Sequence, residues 1–169
     1  MKLPRHVAAV LAVLAIGTGA YFAWQGVGQA TPAPDVAYTL LDGRQTQLQS
    51  LRGKVVLVNF WATSCTTCVH EMPNIVATHE RYKARGYETL AVAMSYDPPA
   101  YVMNFAESRK LPFSVAIDNT GSVAKSFGDV RLTPTSYLIN KRGEIVKRFV
   151  GEPDFAALHG LIEQLLAEA

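Results

Sequence analysis

The chain opens on one long hydrophobic block and then settles into short apolar runs that alternate with amphipathic stretches. From Val7 to Trp24 it is uncharged without interruption, behind Lys2, Arg5 and His6. As a helix this run would span roughly 27 Å, close to the ~30 Å hydrocarbon core of a bilayer. "GVGQATPAP", Gly26 to Pro34, is small and Pro-rich and reads as a tether. Alternating residues around "LDGRQ" predict a hairpin from Ala37 to Leu48 with Asp42-Gly43 at its tip. "KVVLVNFWA" is continuously apolar, the pattern of a central strand buried on both faces.

A helix then runs from about Cys65 to Arg85, capped by Ser64, kinked at Pro73 and stopped at Gly86. "YETLAVAMS" is the next buried strand, and "PPAYVMNFAESRK" is a helix with Pro in its first turn. "FSVAID" reads as a strand, "GSVAKSFG" as a short helix, and "TSYLIN" and "EIVKRFVG" as a hairpin across a solvated Lys-Arg-Gly turn. Phe155 to Ala169, with Leu158, Leu161, Ile162, Leu165 and Leu166 on one stripe, closes the chain as an amphipathic helix. Strands alternating with helices and ending in a hairpin imply an α/β sandwich on a mixed sheet, with Met94, Phe105 and Phe127 in its core.

At 169 residues and 49% hydrophobic content, there is room for one domain of ordinary size behind the leading block. Residues 1–30 form a membrane anchor or signal sequence with the start of the tether, and residues 31–169 the domain. Tyr21, Phe22 and Trp24 lie at the far end of the run and the basic residues at the near end, which places the N-terminus in the cytoplasm and the domain outside it. Small residues at Gly28-Gln29-Ala30 offer cleavage as the competing reading, and the length of the run favours an uncleaved anchor. Of the 16 Lys and Arg, two lie in that block, so the remainder holds as many bases as its 14 acids. No continuous basic face remains for nucleic acid.

Cys65 and Cys68 are the only cysteines. Haem attachment needs His directly after the second cysteine, but Val69 intervenes before His70. Zinc needs four ligands, and only scattered His70, His79 and His159 could add to the pair. A structural staple is open to an exported protein. Yet loop closure over four residues is worth only about 2 kcal/mol, so the spacing favours a switch whose sulfurs share one helix face. Unpaired N–H groups at a helix start favour a thiolate at Cys65, making it the attacking sulfur and Cys68 the resolving one. No metal or cofactor is expected.

"GKVVLVNFWATSCTTC" resembles the thioredoxin superfamily, specifically its membrane-anchored TlpA and ResA type of thiol:disulfide oxidoreductases. "YTLLDGRQTQLQSLRGK", Pro73 and "TPTSYLINKRGEIVKRFVG" extend the resemblance over roughly Ala37 to Ala169. The resemblance implies a thioredoxin-like mixed sheet flanked by helices, with an N-terminal β-hairpin and a central insertion, preceded by one transmembrane helix. It implies catalysis by Cys65 and Cys68 through a redox-active disulfide, with Trp61 bordering the site. It makes Thr133-Pro134 a cis-proline turn whose Thr133 backbone binds a substrate strand.

Relatives carry an aromatic residue before the first cysteine and often Pro before the second, where this chain has Ser64 and Thr67. Asn59 stands where thioredoxins bury an Asp. The ResA-type Glu after the inserted strand maps to Tyr96, which leaves Asp97 as the candidate for proton transfer to Cys68, with capping of the Pro98-Pro99 helix start as its competing role. Thr135 reads as a strand residue.

The implied location is the bacterial inner membrane, single-pass, with the domain in the periplasm, or secretion to the periplasm after cleavage. Implied substrates are protein disulfides of apocytochrome c or copper-centre proteins, and the implied electron donor is a DsbD or CcdA type membrane protein. A peroxiredoxin-like peroxidase and a Sco-like copper chaperone are the alternatives, the latter one residue short of its Cys-x-x-x-Cys spacing.

Overall fold

A computed structural model of the protein describes residues 31–168. The expected anchor or signal sequence in residues 1–30 therefore lies outside the described residues. Among the described residues no helix is long and apolar enough to cross a membrane.

The sheet is mixed and eight-stranded. In chain order its strands are β1 (Thr31–Pro32), β2 (Ala37–Leu40), β3 (Gln45–Gln47), β4 (Val55–Trp61), β5 (Tyr87–Ala93), β6 (Ser114–Ile117), β7 (Thr135–Ile139) and β8 (Glu144–Val150). Across the sheet they run β1-β8-β7-β4-β5-β6-β2-β3, with β4, β5 and β6 parallel and the other pairs antiparallel. The predicted hairpin is β2 and β3, turning at Gly43. Only β1 departs from expectation. The supposed tether ends by pairing Thr31 and Pro32 with Ile145 and Glu144, and Pro32 is tolerated there because the strand is an edge.

Helix α1 (Thr66–Tyr82) continues past Pro73 and gives way to a 3₁₀ turn at Lys83–Arg85, which Gly86 ends at φ +92°. Helices α2 (Pro99–Ser108) and α3 (Ser122–Ser126) follow β5 and β6, and α4 (Phe155–Ala167) closes the chain. Asp154 caps α4, its carboxylate accepting from the N–H groups of Ala156 and Ala157.

Every residue of β4 is buried, as expected of a central strand with neighbours on both sides. Side chains alternate across a strand, so β4 feeds two cores. Val56, Val58 and Phe60 join Val92, Met94, Phe127 and Tyr137 on one face. Val55 and Leu57 meet α4 through Leu158 and Ile162 on the other face, while Trp61 packs with Cys68, Met72 and Ile75 of α1 and Val102 of α2. Asn59 belongs to this second row, between Leu57 and Trp61, and is fully buried.

Candidate active site

The cysteine pair emerges where β4 ends and α1 begins, at the carboxyl edge of the parallel strands, a habitual place for chemistry in open α/β sheets. Cys65 and Cys68 are joined as a disulfide. The helix cap expected at Ser64 falls instead on Cys65, whose extended backbone lets its own Sγ accept from the Cys68 N–H at 3.2 Å. The sulfur of a residue thus does what a Ser hydroxyl would, because it, and not Ser64, faces the helix start. A thiolate at Cys65 would receive this N–H and the positive end of the helix dipole. Cys65 is half-buried and Cys68 wholly buried. Only the first sulfur is open to attack from outside.

Two loops surround the pair. In the first, Asp97 is buried and both its oxygens are committed: Thr63 donates its backbone N–H and its hydroxyl, each at 2.6 Å. The expectation that Asp97 moves a proton to Cys68 is thereby replaced by a structural role, because its carboxylate ties the loop before Cys65 to the loop after β5. It does not cap α2 either, whose N-cap position is Pro98 with no side-chain bond.

In the second loop, the Thr133–Pro134 bond is cis. Register places Thr135 opposite Phe60, so Pro134 lies level with Trp61 at the root of the cysteine loop. Among the described residues the Thr133 backbone N–H and C=O take no hydrogen-bond partner, while the Pro134 C=O accepts from Gly151. Thr135 is the first residue of β7, as expected. The Tyr96 hydroxyl spans the gap between the loops, 3.2 Å from Oγ1 of Thr133.

Trp61 does border the cysteine pair, packing with Cys68, but from beneath: it is fully buried and meets Phe105 at 5.1 Å between ring centres, so it supports the cysteine helix and offers no surface to a substrate. The exposed apolar surface is supplied by others. Tyr96, Leu132 and Val150 are each more than half exposed, and all three flank the Thr133–Pro134 peptide by hydrogen bond, chain neighbour or strand pairing.

One residue absent from the sequence expectations is Glu71. It sits one turn beyond Cys68 on the same face of α1 and is fully buried. Asn59 Nδ2 donates to its Oε1 at 2.9 Å. Burial pushes the Glu71 carboxyl up to about 7, opposed by the Asn59 hydrogen bond and helped by the nearby Glu152 charge. Glu152 in turn is 3.0 Å from Nδ1 of exposed His70. The signal was available in the spacing Cys68, Glu71, Met72, Ile75, which puts a carboxyl in an apolar helical stripe. Among the described residues no three His, Cys, Asp or Glu side chains converge as a metal site.

The Redoxin family model matches residues 28–162. The chain is 38% identical over 120 residues to the thiol-disulfide oxidoreductase ResA of Bacillus thuringiensis subsp. konkukian, covering 71% of this chain and 68% of the relative. It is 33% identical over 165 residues to ResA of Halalkalibacterium halodurans, covering 94% and 88%. The solution structure of a candidate thioredoxin from Neisseria meningitidis superposes with a TM-score of 0.76 at 40% identity, covering 83% of this chain and 93% of that one. A crystal structure of a candidate thiol:disulfide interchange protein DsbE from Chlorobium tepidum gives 0.76 at 30% identity, covering 83% and 99%.

Proposed function

Because this chain belongs to the Redoxin family and is a thiol:disulfide oxidoreductase of thioredoxin fold, we propose that it works in the reductive direction on protein disulfides outside the cytoplasm. The observation that carries the reading is a half-buried Cys65 capping its own helix over a sealed Cys68, beside a Thr133 whose backbone is unpaired among the described residues. Similarity to ResA and DsbE supports apocytochrome c or copper-centre proteins as substrates. Residues 1–30 anchor the domain to the outer face of the bacterial inner membrane, and a DsbD or CcdA type protein returns electrons to it.

In this reading the Cys65 thiolate attacks one sulfur of a substrate disulfide. A Cys65–substrate disulfide forms and the other substrate sulfur leaves as a thiolate, which takes up a proton. Cys68 then loses its proton to the Glu71 carboxylate and attacks the Cys65 sulfur. The Cys65–Cys68 bond forms as the second substrate sulfur leaves and is protonated, so two electrons and two protons pass to the substrate. The extended substrate strand lies against Thr133 and Pro134, with apolar side chains over Tyr96, Leu132 and Val150.

A peptide disulfide of Cys-x-x-Cys-His sequence tests the reading. Reduced wild-type protein is expected to open it, Cys68→Ser to accumulate the mixed disulfide through Cys65, and Cys65→Ser to do neither. A Cys68→Ser protein that forms no adduct, or one bonded elsewhere than Cys65, would contradict it.

A further inference from the structure

Below the disulfide lies a buried polar tripod that links three elements. Asn59 comes from β4, Glu71 from α1 and Ser136 from β7, directly opposite Asn59 in the strand register. All three are at most 1% exposed. Asn59 spends both donors of its amide here, one on Glu71 Oε1 at 2.9 Å and one on Ser136 Oγ at 3.0 Å. The amide is therefore held at two points and cannot turn its Nδ2 away from the carboxyl without losing both bonds. Oε2 of Glu71 is buried with no hydrogen-bond partner among the described residues.

This geometry divides the work between the two carboxyl oxygens. Oε1 already accepts an N–H, and a proton placed on it would face a donor. The neutral carboxyl therefore carries its proton on Oε2, and the anion keeps Oε1 anchored while Oε2 is free to take a proton up. A hydrogen bond donated to a carboxylate favours the charged form, whereas the surrounding apolar wall favours the neutral one. The two influences oppose each other on one group.

We propose that Asn59, braced by Ser136, is a positioning residue that holds Glu71 by Oε1 and leaves Oε2 as the oxygen that exchanges the proton with Cys68. The inference rests on the role given to Glu71 above. When Cys68 attacks the Cys65 sulfur of a mixed disulfide, its S–H proton passes to Oε2, the new S–S bond forms and the substrate sulfur leaves with the electron pair. The other charged group near Glu71 is Glu152, partnered by His70 of α1, and the cysteine pair adds a titrating group only once its disulfide is opened. Strand β5 and helix α2 present Ala91, Ala93 and Val102 to α1, none of which titrates.

The test follows the Glu71 carboxyl carbon by NMR through a pH titration of ¹³C-glutamate protein, with Glu71→Gln to identify the signal. Asn59→Ala removes the donor and should raise the acidity midpoint by a unit or more, a tenfold weaker acid. Ser136→Ala only frees the amide to rotate and should raise it by a few-fold. Asn59→Asp, nearly isosteric, should replace one transition by two coupled ones, one of them well above the wild-type midpoint.

The pH midpoint for resolution of the mixed disulfide by Cys68 should move with the carboxyl in each variant. A Glu71 midpoint unchanged in Ser136→Ala and Asn59→Asp would overturn the proposal even if Asn59→Ala does not fold. So would a carboxyl that shifts while the resolution profile stays still. Failure of the wild-type protein to open any protein disulfide would instead remove the reductive reading, because the NMR titration needs no turnover.

Discussion

The two faces of strand β4 obey different rules. On one, Val56, Val58 and Phe60 meet Met94, Phe127 and Tyr137 in an apolar layer where the Tyr137 hydroxyl donates to the Phe127 carbonyl at 2.6 Å. On the other, the same strand offers Asn59 and Trp61, and buried atoms there lack partners among the described residues: Asn59 Oδ1, Trp61 Nε1 and Glu71 Oε2. A buried polar group without a partner disfavours folding by about 1 to 3 kcal/mol. One face is packed for stability. The other gives up part of that stability to hold a carboxyl that can ionise under a cysteine pair.

The comparison breaks most visibly at Phe60. Its ring is fully buried and makes edge contacts with Phe127 and Tyr137 at 5.3 and 6.0 Å. Phe60→Ala should therefore destabilise the protein by about 3 to 5 kcal/mol, read from denaturant midpoints, with little dependence on pH. A loss below 1 kcal/mol would mean that this face is not the stabilising one.

Glu71→Gln sharpens the contrast with the opposite sign. The native carboxyl titrates at about 7 against 4.5 for the free group. Between those values the unfolded chain has released its proton and the native one has not, so stability falls as pH rises from 4.5 to 7 and is level beyond. That difference amounts to about 3 kcal/mol. Glu71→Gln should be more stable than wild type by about that much at pH 8 and nearly equal to it at pH 4, while its disulfide exchange slows. Equal stability at both pH values would contradict the buried-acid account.

The smallest effect separates the chemical part of that face from its scaffold. Asp154 caps α4 through two N–H groups, and α4 covers Val55 and Leu57 through Leu158 and Ile162. Asp154→Ala should lower stability by about 1 kcal/mol and leave the Glu71 titration in place.

The strand order of hydrophobicity made most of the fold legible. Runs such as Val55–Trp61 are long, apolar and bounded by turn residues, and every expected element exists in the described region. β1 was illegible because two residues paired to an edge leave no periodicity. Of the candidate site, the Cys65–Cys68 disulfide and the cis Thr133–Pro134 bond were legible as geometry. The buried carboxyl of Glu71 was hidden by the resemblance itself, which draws attention to the loop after β5, where both oxygens of Asp97 accept from Thr63. Trp61 lies under α1 and α2, because its parity along β4 puts it on the helix-covered face with Val55 and Leu57, a consequence of alternation that an aromatic label does not convey.

The equilibrium reduction potential of the Cys65–Cys68 pair, measured at pH 7 in the full chain against a dithiothreitol or glutathione buffer, tests the reductive reading most directly. The account predicts a value at or below about −230 mV, in the range of thioredoxin and the more reducing glutaredoxins, so that the dithiol gives electrons to substrate disulfides and needs a donor to recover them. A value near about −120 mV would make the pair an oxidant of the DsbA kind and would contradict it.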